Sequence, residues 1–312
     1  MTKLKGVLLT EGMHGMISQV EGLAKALDLD FTHHTVETNK FWKLFPPKFT
    51  PISKNVFKKI DVKDFDVIIS CGRKSVIPSI YLKQKSNKKV TNIHIQNPKV
   101  DLNNFSYVIA PEHDELTGQN VFSTKGAIHY LTKEEINNNS NYLKDKLQTE
   151  KEYFLLILGG PTKHYDYSDE NVLNIFNLFD NLVKKNNLQG IVIPSMRTPR
   201  NIIELSKVKL SENSLVIDIV DKKAYLSALA LAKYISVTCD STSMISEAAL
   251  TGKPIYVADI PTKKNDKRIK KFRELFNQLN IIKKLDNKLE TWRYENLDET
   301  SRVARKIKKQ LI

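Results

Sequence analysis

The chain has 312 residues, 49 lysines and arginines against 35 acids, a formal net charge of +14 and 41% apolar residues. That length exceeds the usual single core and predicts two domains of about 150 residues each, while the apolar content excludes a disordered chain. No run of about 18 apolar residues occurs, and the apolar part of Met1–Thr10 is too short for a secretory leader, so the expected setting is the cytoplasm.

Short β-branched or aliphatic runs alternate with longer amphipathic stretches from end to end, the pattern of parallel sheets wound with helices. In the first half the pattern predicts strands at 4–10, 31–36, 66–70, 90–95, 107–110 and 121–123, and helices at 16–28, 74–86 and 133–147. In the second half it predicts strands at 153–158, 190–194, 214–218, 234–238 and 254–257, and helices at 169–187, 199–210, 222–232, 242–251 and 265–280. The polar run from Glu134 to Lys151 places the boundary near 150. The expectation is an α/β protein of two Rossmann-like domains, 1–150 and 151–312, facing a shared cleft. A basic helix at 297–312, with Val303, Ile307 and Leu311 on one face, is expected to pack back on the fold, with the first domain as the open alternative.

Open α/β sheets bind ligands at the carboxyl ends of their strands, so polar loops after strands are the candidates. The most telling is Asp240-Ser241-Thr242-Ser243-Met244, which opens a helix carrying Ser246 and Glu247 and closing at Gly252-Lys253-Pro254. Free N–H groups at such a helix start suit a phosphate or diphosphate. Capping needs only one of these side chains and accounts for that one without a ligand. Gly159-Gly160 and the pair Ser195 and Arg197 follow neighbouring strands; glycines admit close backbone approach, and arginine grips phosphate as a fork. A tight turn and an ordinary surface arginine are the alternatives.

In the first half, Gly12-x-x-Gly15 lacks the G-x-G-x-x-G spacing, and there is no Walker A sequence, which disfavours a dehydrogenase or ATPase. His14 and Glu11 in that loop are candidate bases. Arg73, Gln96, Asn97, Glu112 and His113 sit in further loops of the same kind. No histidine partners His113 at metal spacing, and Cys71 and Cys239 read as reduced core thiols, so no metal is expected. The net charge favours phosphate-rich partners. Residues 40–59 hold six lysines, no acid and several aromatics, which suits either an anionic membrane surface or a loop whose rings fill the core beneath it.

Together, Gly12-x-x-Gly15-x-x-x-Gln19-x-x-Gly22-Leu23-Ala24, Gly72-Arg73-Lys74, Gln96-Asn97-Pro98-Lys99-Val100-Asp101, Ala110-Pro111-Glu112-His113-Asp114, Gly159-Gly160-Pro161, Ser195-x-Arg197-Thr198-Pro199 and Asp240-Ser241-x-Ser243-Met244-x-Ser246-Glu247-Ala248 resemble the "elongated mitochondria" (ELM) fission-protein family, in its bacterial branch. The resemblance covers nearly the whole chain. It implies the GT-B fold of nucleotide-sugar glycosyltransferases and sugar-nucleotide 2-epimerases. In those enzymes a helix start holds the donor diphosphate and a glutamate on that helix reaches the ribose, roles that fall here on Ser241, Ser243, Met244 and Glu247. Glu11 stands where the family more often has Asp, and Met16 where a polar residue is frequent.

These readings lead to a metal-independent, GT-B-type glycosyltransferase with a nucleoside-diphosphate sugar as substrate and no cofactor. His14 or Glu11 would act as base on an acceptor, a lipid-linked one included. Gly12, Gly15, Arg73, Gln96, Asn97, Glu112 and His113 would line the acceptor side. No nucleic-acid partner is expected. Two alternatives stay open. One is a non-catalytic adaptor in membrane fission, as the family implies for its plant branch, where a dynamin-related protein is recruited to the outer mitochondrial membrane. The other is a 2-epimerase collecting His14, Glu112, His113 and Glu247. Peripheral contact with the inner face of the membrane is the open addition to the cytoplasmic expectation.

Overall fold

The computed structural model describes residues 3–311, so the leader reading at Met1 and Thr2 and the last position of the closing helix, Ile312, lie outside the described residues. The chain divides into two compact units: one takes the chain to Tyr130 and again from Asp298, and the other is Leu131–Leu297.

In the first unit, β1 (Lys5–Thr10), β2 (Asp30–Thr35), β3 (Val67–Cys71), β4 (Thr91–Ile95), β5 (Tyr107–Pro111) and β6 (Val121–Thr124) form one parallel sheet in the order β2-β1-β3-β4-β5-β6. Alternate residues of each strand serve opposite faces. Leu8, Val67, Ile69 and Ile93 pack with α1 (His14–Ala26), while Val7, Leu9 and Ile68 pack with α2 (Val76–Lys85). Both faces being covered, the inner strands read as nearly continuous apolar runs.

The second unit repeats the plan with a different order. Its sheet comprises β7 (Tyr153–Leu158), β8 (Gln189–Pro194), β9 (Ser214–Val216), β10 (Ala232–Thr238), β11 (Ile255–Ala258) and β12 (Ile282–Lys284), all parallel, in the order β12-β11-β10-β7-β8-β9. This is the doubly wound order of dinucleotide-binding domains. Helices α3 (Lys133–Asn138), α4 (Asp169–Lys185), α5 (Arg200–Lys209), α6 (Lys222–Leu231), α7 (Thr242–Ala249) and α8 (Lys267–Gln278) belong to it. The cap of α4 is Ser168, whose hydroxyl accepts from the Asn171 N–H, with Asp169 and Glu170 in its first turn and Lys184 and Lys185 in its last, matching the helix dipole at both ends.

Residues 131–150 group with the second unit instead of the first, unlike the boundary read near 150. The few apolar side chains of that polar run decide it. Ile136 and Leu143 are buried, α3 packs on α6, and the Ser227 hydroxyl accepts from the Leu143 N–H at 3.1 Å. The predicted helix 133–147 stops at Asn138, since the asparagine run that follows prefers turns. The predicted strand 214–218 ends at Val216, and the three-residue β12 had no period long enough to signal it.

Helix α9 (Glu299–Leu311) joins the first unit, where Val303, Ala304 and Ile307 pack into the α1 side of the core. Its start is tied to the stretch after β6: the Lys125 N–H donates to Glu299 at 2.8 Å, and the Thr300 hydroxyl bonds the His129 backbone N–H and carbonyl at 3.0 and 2.9 Å. Gly22, within α1, lies against that same stretch, and a Cβ there would overlap the backbone carbonyl of His129. Helix propensity alone favours alanine at a helical glycine by about 1 kcal/mol. The clash is with backbone and cannot be relieved by a rotamer change, so we expect Gly22→Ala to destabilise the protein by at least ~2 kcal/mol in chemical denaturation.

Candidate functional site

In the second sheet, β7 and β10 are spatial neighbours although three helices and two strands separate them in the chain. The strand order reverses between them, and the loops leaving their carboxyl ends carry Gly159-Gly160 and Asp240-Ser241. The loop after β8, which is next to β7, carries Ser195 and Arg197. The six residues are thereby brought to one edge.

Asp240 is the centre of this edge, its side chain fully enclosed. It accepts from the Gly160 N–H at 3.1 Å, the Thr238 hydroxyl at 2.7 Å and the Arg197 guanidinium at 2.7 Å. Arg197 also donates to the Gly160 carbonyl at 3.0 Å, and its side chain stays 42% exposed. The Gly159 N–H goes to the Thr238 hydroxyl at 2.8 Å. A Cβ on Gly159 would overlap the Asp240 carboxylate, and one on Gly160 the Arg197 backbone. The glycine pair is thus required by the packing of this hub, and its two N–H groups are already engaged. Ser195 donates to the Gly159 carbonyl at 3.0 Å, and Thr198, part of the same Ser195-x-Arg197-Thr198-Pro199 motif, bonds the carbonyls of both Leu158 and Gly159.

Helix α7 starts directly beyond the hub. Ser241 is its cap, accepting from the Met244 N–H, and Ser246 turns back to the Thr242 carbonyl at 2.8 Å. Among the described residues, no protein acceptor stands opposite the N–H groups of Thr242 and Ser243. The open donors at this helix start are therefore backbone groups, beside a half-exposed guanidinium.

Glu247, one turn further on, accepts a hydrogen bond from the Tyr225 hydroxyl at 2.8 Å. Burial holds its carboxyl up to about 7, against the stabilising bond from Tyr225. A carboxyl with so displaced an affinity for protons costs the fold stability, and such groups concentrate at functional sites. Tyr225 lies on α6, and no sequence spacing linked it to Glu247.

The first unit's candidates also lie after strands, each with partners of its own. Glu11 accepts from the Lys74 N–H at 3.1 Å and pairs with its ammonium at 3.0 Å. Arg73 donates to the Lys43 carbonyl at 2.9 Å and so braces the loop after β2. Gln96 turns to Gln19 at 3.4 Å, and Asn97 accepts from the Lys99 N–H in a local turn. Gly12 donates its N–H to the Thr10 hydroxyl, Gly15 is exposed in the first turn of α1, and His14, also exposed, lies edge-on to Tyr130 with ring centroids 6.2 Å apart. Glu112 and His113 occupy a single 3-10 turn after β5, where His113 comes within 3.9 Å of Asp114. Cys71 and Cys239 are buried thiols, the latter pushed up to about 12 by burial.

Solved structures show the same architecture. A UDP-GlcNAc 2-epimerase from Methanocaldococcus jannaschii superposes with a TM-score of 0.53 at 16% identity, over 98% of this chain and 99% of that one. The glycosyltransferase SnogD from Streptomyces nogalater superposes with a TM-score of 0.55 at 10% identity, over 99% and 95%. The molecule is a GT-B-like α/β protein of two Rossmann-like units. Within that class, the chain belongs to the Mitochondrial fission ELM1 family, which matches residues 14–311. It is 25% identical to the uncharacterized protein RP120 of Rickettsia prowazekii over 96% of this chain and 97% of that protein. It is 23% identical to mitochondrial fission protein ELM1 of Arabidopsis thaliana over 78% of this chain and 64% of that protein.

The raised Glu247 carboxyl gives a signed expectation. Between the ordinary carboxylate range and about 7 the unfolded chain releases this proton while the folded chain keeps it, so wild-type stability falls across that window and levels off above it. Glu247→Gln removes the effect. We expect it to match wild type near pH 4.5 and to exceed it by about 1–3 kcal/mol at pH 8, read as a pH series of denaturation midpoints.

Proposed function

We propose that the chain binds a nucleoside-diphosphate sugar on its second unit and transfers the sugar to an acceptor, with the start of α7 in the place a divalent ion takes elsewhere. The observation that carries this is the pair of open N–H groups, Thr242 and Ser243, at the point where the strand order reverses and a helix begins. Strand reversal is where doubly wound sheets bind ligands, and a helix start is where diphosphate binds with least rearrangement. In the transfer, the acceptor oxygen bonds to the sugar's anomeric carbon as the bond from that carbon to the diphosphate oxygen breaks. Negative charge grows on the departing diphosphate, where the α7 dipole and the exposed face of Arg197 stabilise it. The acceptor hydroxyl loses its proton to a base. His14, exposed at the start of α1, suits that role better than Glu11, which is held by Lys74. Glu247 is assigned to the ribose hydroxyls.

A second reading, a non-catalytic adaptor in membrane fission, is favoured by one observation: Arg197 and both glycine N–H groups are spent on the protein itself. The Arabidopsis relative is a mitochondrial fission protein.

Calorimetry against UDP-, GDP-, ADP- and CMP-linked sugars separates the two. Thr242→Pro removes one open N–H at the first helical position, where proline is tolerated, and Ser241 before it already lies outside the α region that a following proline disfavours (φ −118°, ψ 93°). We expect at least one nucleotide sugar to bind at millimolar concentration or below, with Thr242→Pro weakening it roughly tenfold at unchanged melting temperature. No binding of any of them returns the chain to the adaptor reading. Deuterium uptake at sugar C2 in heavy water would instead mark an epimerase.

A further inference from the structure

The loop between β2 and β3 presents an apolar surface that the fold does not use. Its ends are pinned: Thr38 bridges Phe57, the Asn39 N–H donates to the Val56 carbonyl at 2.9 Å, and the Lys58 N–H donates to the Glu37 carbonyl at 2.8 Å. Between them the chain makes three single 3-10 turns, Trp42–Leu44, Pro47–Phe49 and Lys54–Val56, because Pro46, Pro47 and Pro51 forbid a continuous helix. Arg73 clamps the middle through the Lys43 carbonyl.

This geometry sorts the side chains. Val56 and Phe57 are buried in the core and Trp42 packs against it. Phe41, Leu44, Phe49 and Ile52 point outward with exposures of 62, 80, 67 and 39%. Core filling therefore accounts for the first group and leaves the second without a use. Phe41 and Phe45 pack about Trp42 with centroids 4.9–5.7 Å apart, so the outward Phe41 ring is braced by its aromatic neighbours. Around them Lys40, Lys43, Lys48, Lys54 and Lys59 are exposed and have no ion-pair partner among the described residues, whereas Lys58 pairs with Glu37.

We propose that this loop docks the protein on an anionic lipid bilayer, with Phe41, Leu44 and Phe49 entering the headgroup boundary and the lysines lying on the lipid phosphates. Charge decides between occupants. A second copy of the same face would bring like charges together, whereas an anionic surface answers the lysines and accepts the rings at one depth. The proposal does not depend on the nucleotide-sugar reading, since every residue it uses lies in the first unit.

Flotation of the full chain with vesicles of phosphatidylcholine alone, or containing about a third phosphatidylglycerol, tests it. Wild type is expected to float with the anionic vesicles at least tenfold more than with neutral ones, and to be released by 0.5 M salt, where screening shortens to a few ångströms. Leu44→Ser with Phe49→Ser, both at exposed positions, should cut binding about tenfold or more. Lys40→Glu with Lys43→Glu and Lys48→Glu should abolish it, each lysine being worth about fivefold. Melting temperatures should stay within a few degrees of wild type, which separates lost docking from lost folding. Equal flotation of wild type and both variants, or no flotation of folded wild type, overturns the proposal. So does a wild-type dimer in light scattering that the Leu44→Ser, Phe49→Ser variant converts to monomer, which would assign the face to a second copy.

Discussion

A carboxylate with no access to solvent must be given donors by the protein, and at Asp240 that requirement organises the whole carboxyl edge of the second sheet. One donor comes from the turn after β7, one from the end of β10 just before Asp240 and one from the loop after β8. Three segments distant in sequence are thereby locked to the residue that precedes the cap of α7. The glycines, Ser195 and Thr198 follow as consequences, since the backbone must pass close to the carboxylate and its own carbonyls need partners. The geometry of the α7 start is inherited from this hub, so that the protein's own contacts set the direction of its outward N–H groups.

The hub and Glu247 differ in their energetics. Asp240 is matched by an arginine and two neutral donors and supports the fold. Glu247 has one hydroxyl donor, and burial makes its charged form expensive near neutral pH. Lys253, at the C-terminal carbonyls of α6, is a comparable case resolved in favour of structure. Burial lowers it to about 8, yet it donates to the Leu229 and Ala230 carbonyls, where the helix dipole favours a cation. A partly buried acid kept without such a match is the kind of cost that active proteins carry at a binding site.

Much of the fold was legible because both sheets are buried on two faces, so that their strands appear as unbroken apolar runs such as Tyr153–Leu158. The unit boundary was less legible: Ile136 and Leu143 lie scattered among asparagines, and only contact with α6 shows that the polar run is anchored. At the site, hydroxyls crowding the start of α7 were visible as a string of letters. The internal use of Gly159, Gly160 and Arg197 was not, since a glycine kept for a neighbouring carboxylate and one kept for a ligand look the same in sequence. Tyr225 could be found only through the tertiary contact that brings α6 to this edge, and Thr198, although it stands in the resemblance motif, shows its carbonyl partners only there. In the first unit, Gln19, Gly22 and Gly72 belong to the motif that carries the family resemblance, and the structure gives them packing and hydrogen-bonding duties there.

On the proposed function, an anionic ligand completes the helix start which the protein leaves open. The most direct measurement is a crystal structure of the protein saturated with the nucleotide sugar that binds best. Diphosphate oxygens are expected within hydrogen-bonding distance of the Thr242 and Ser243 nitrogens, with Glu247 facing the ribose. A nucleotide lodged elsewhere, with only water at those two nitrogens, would contradict it.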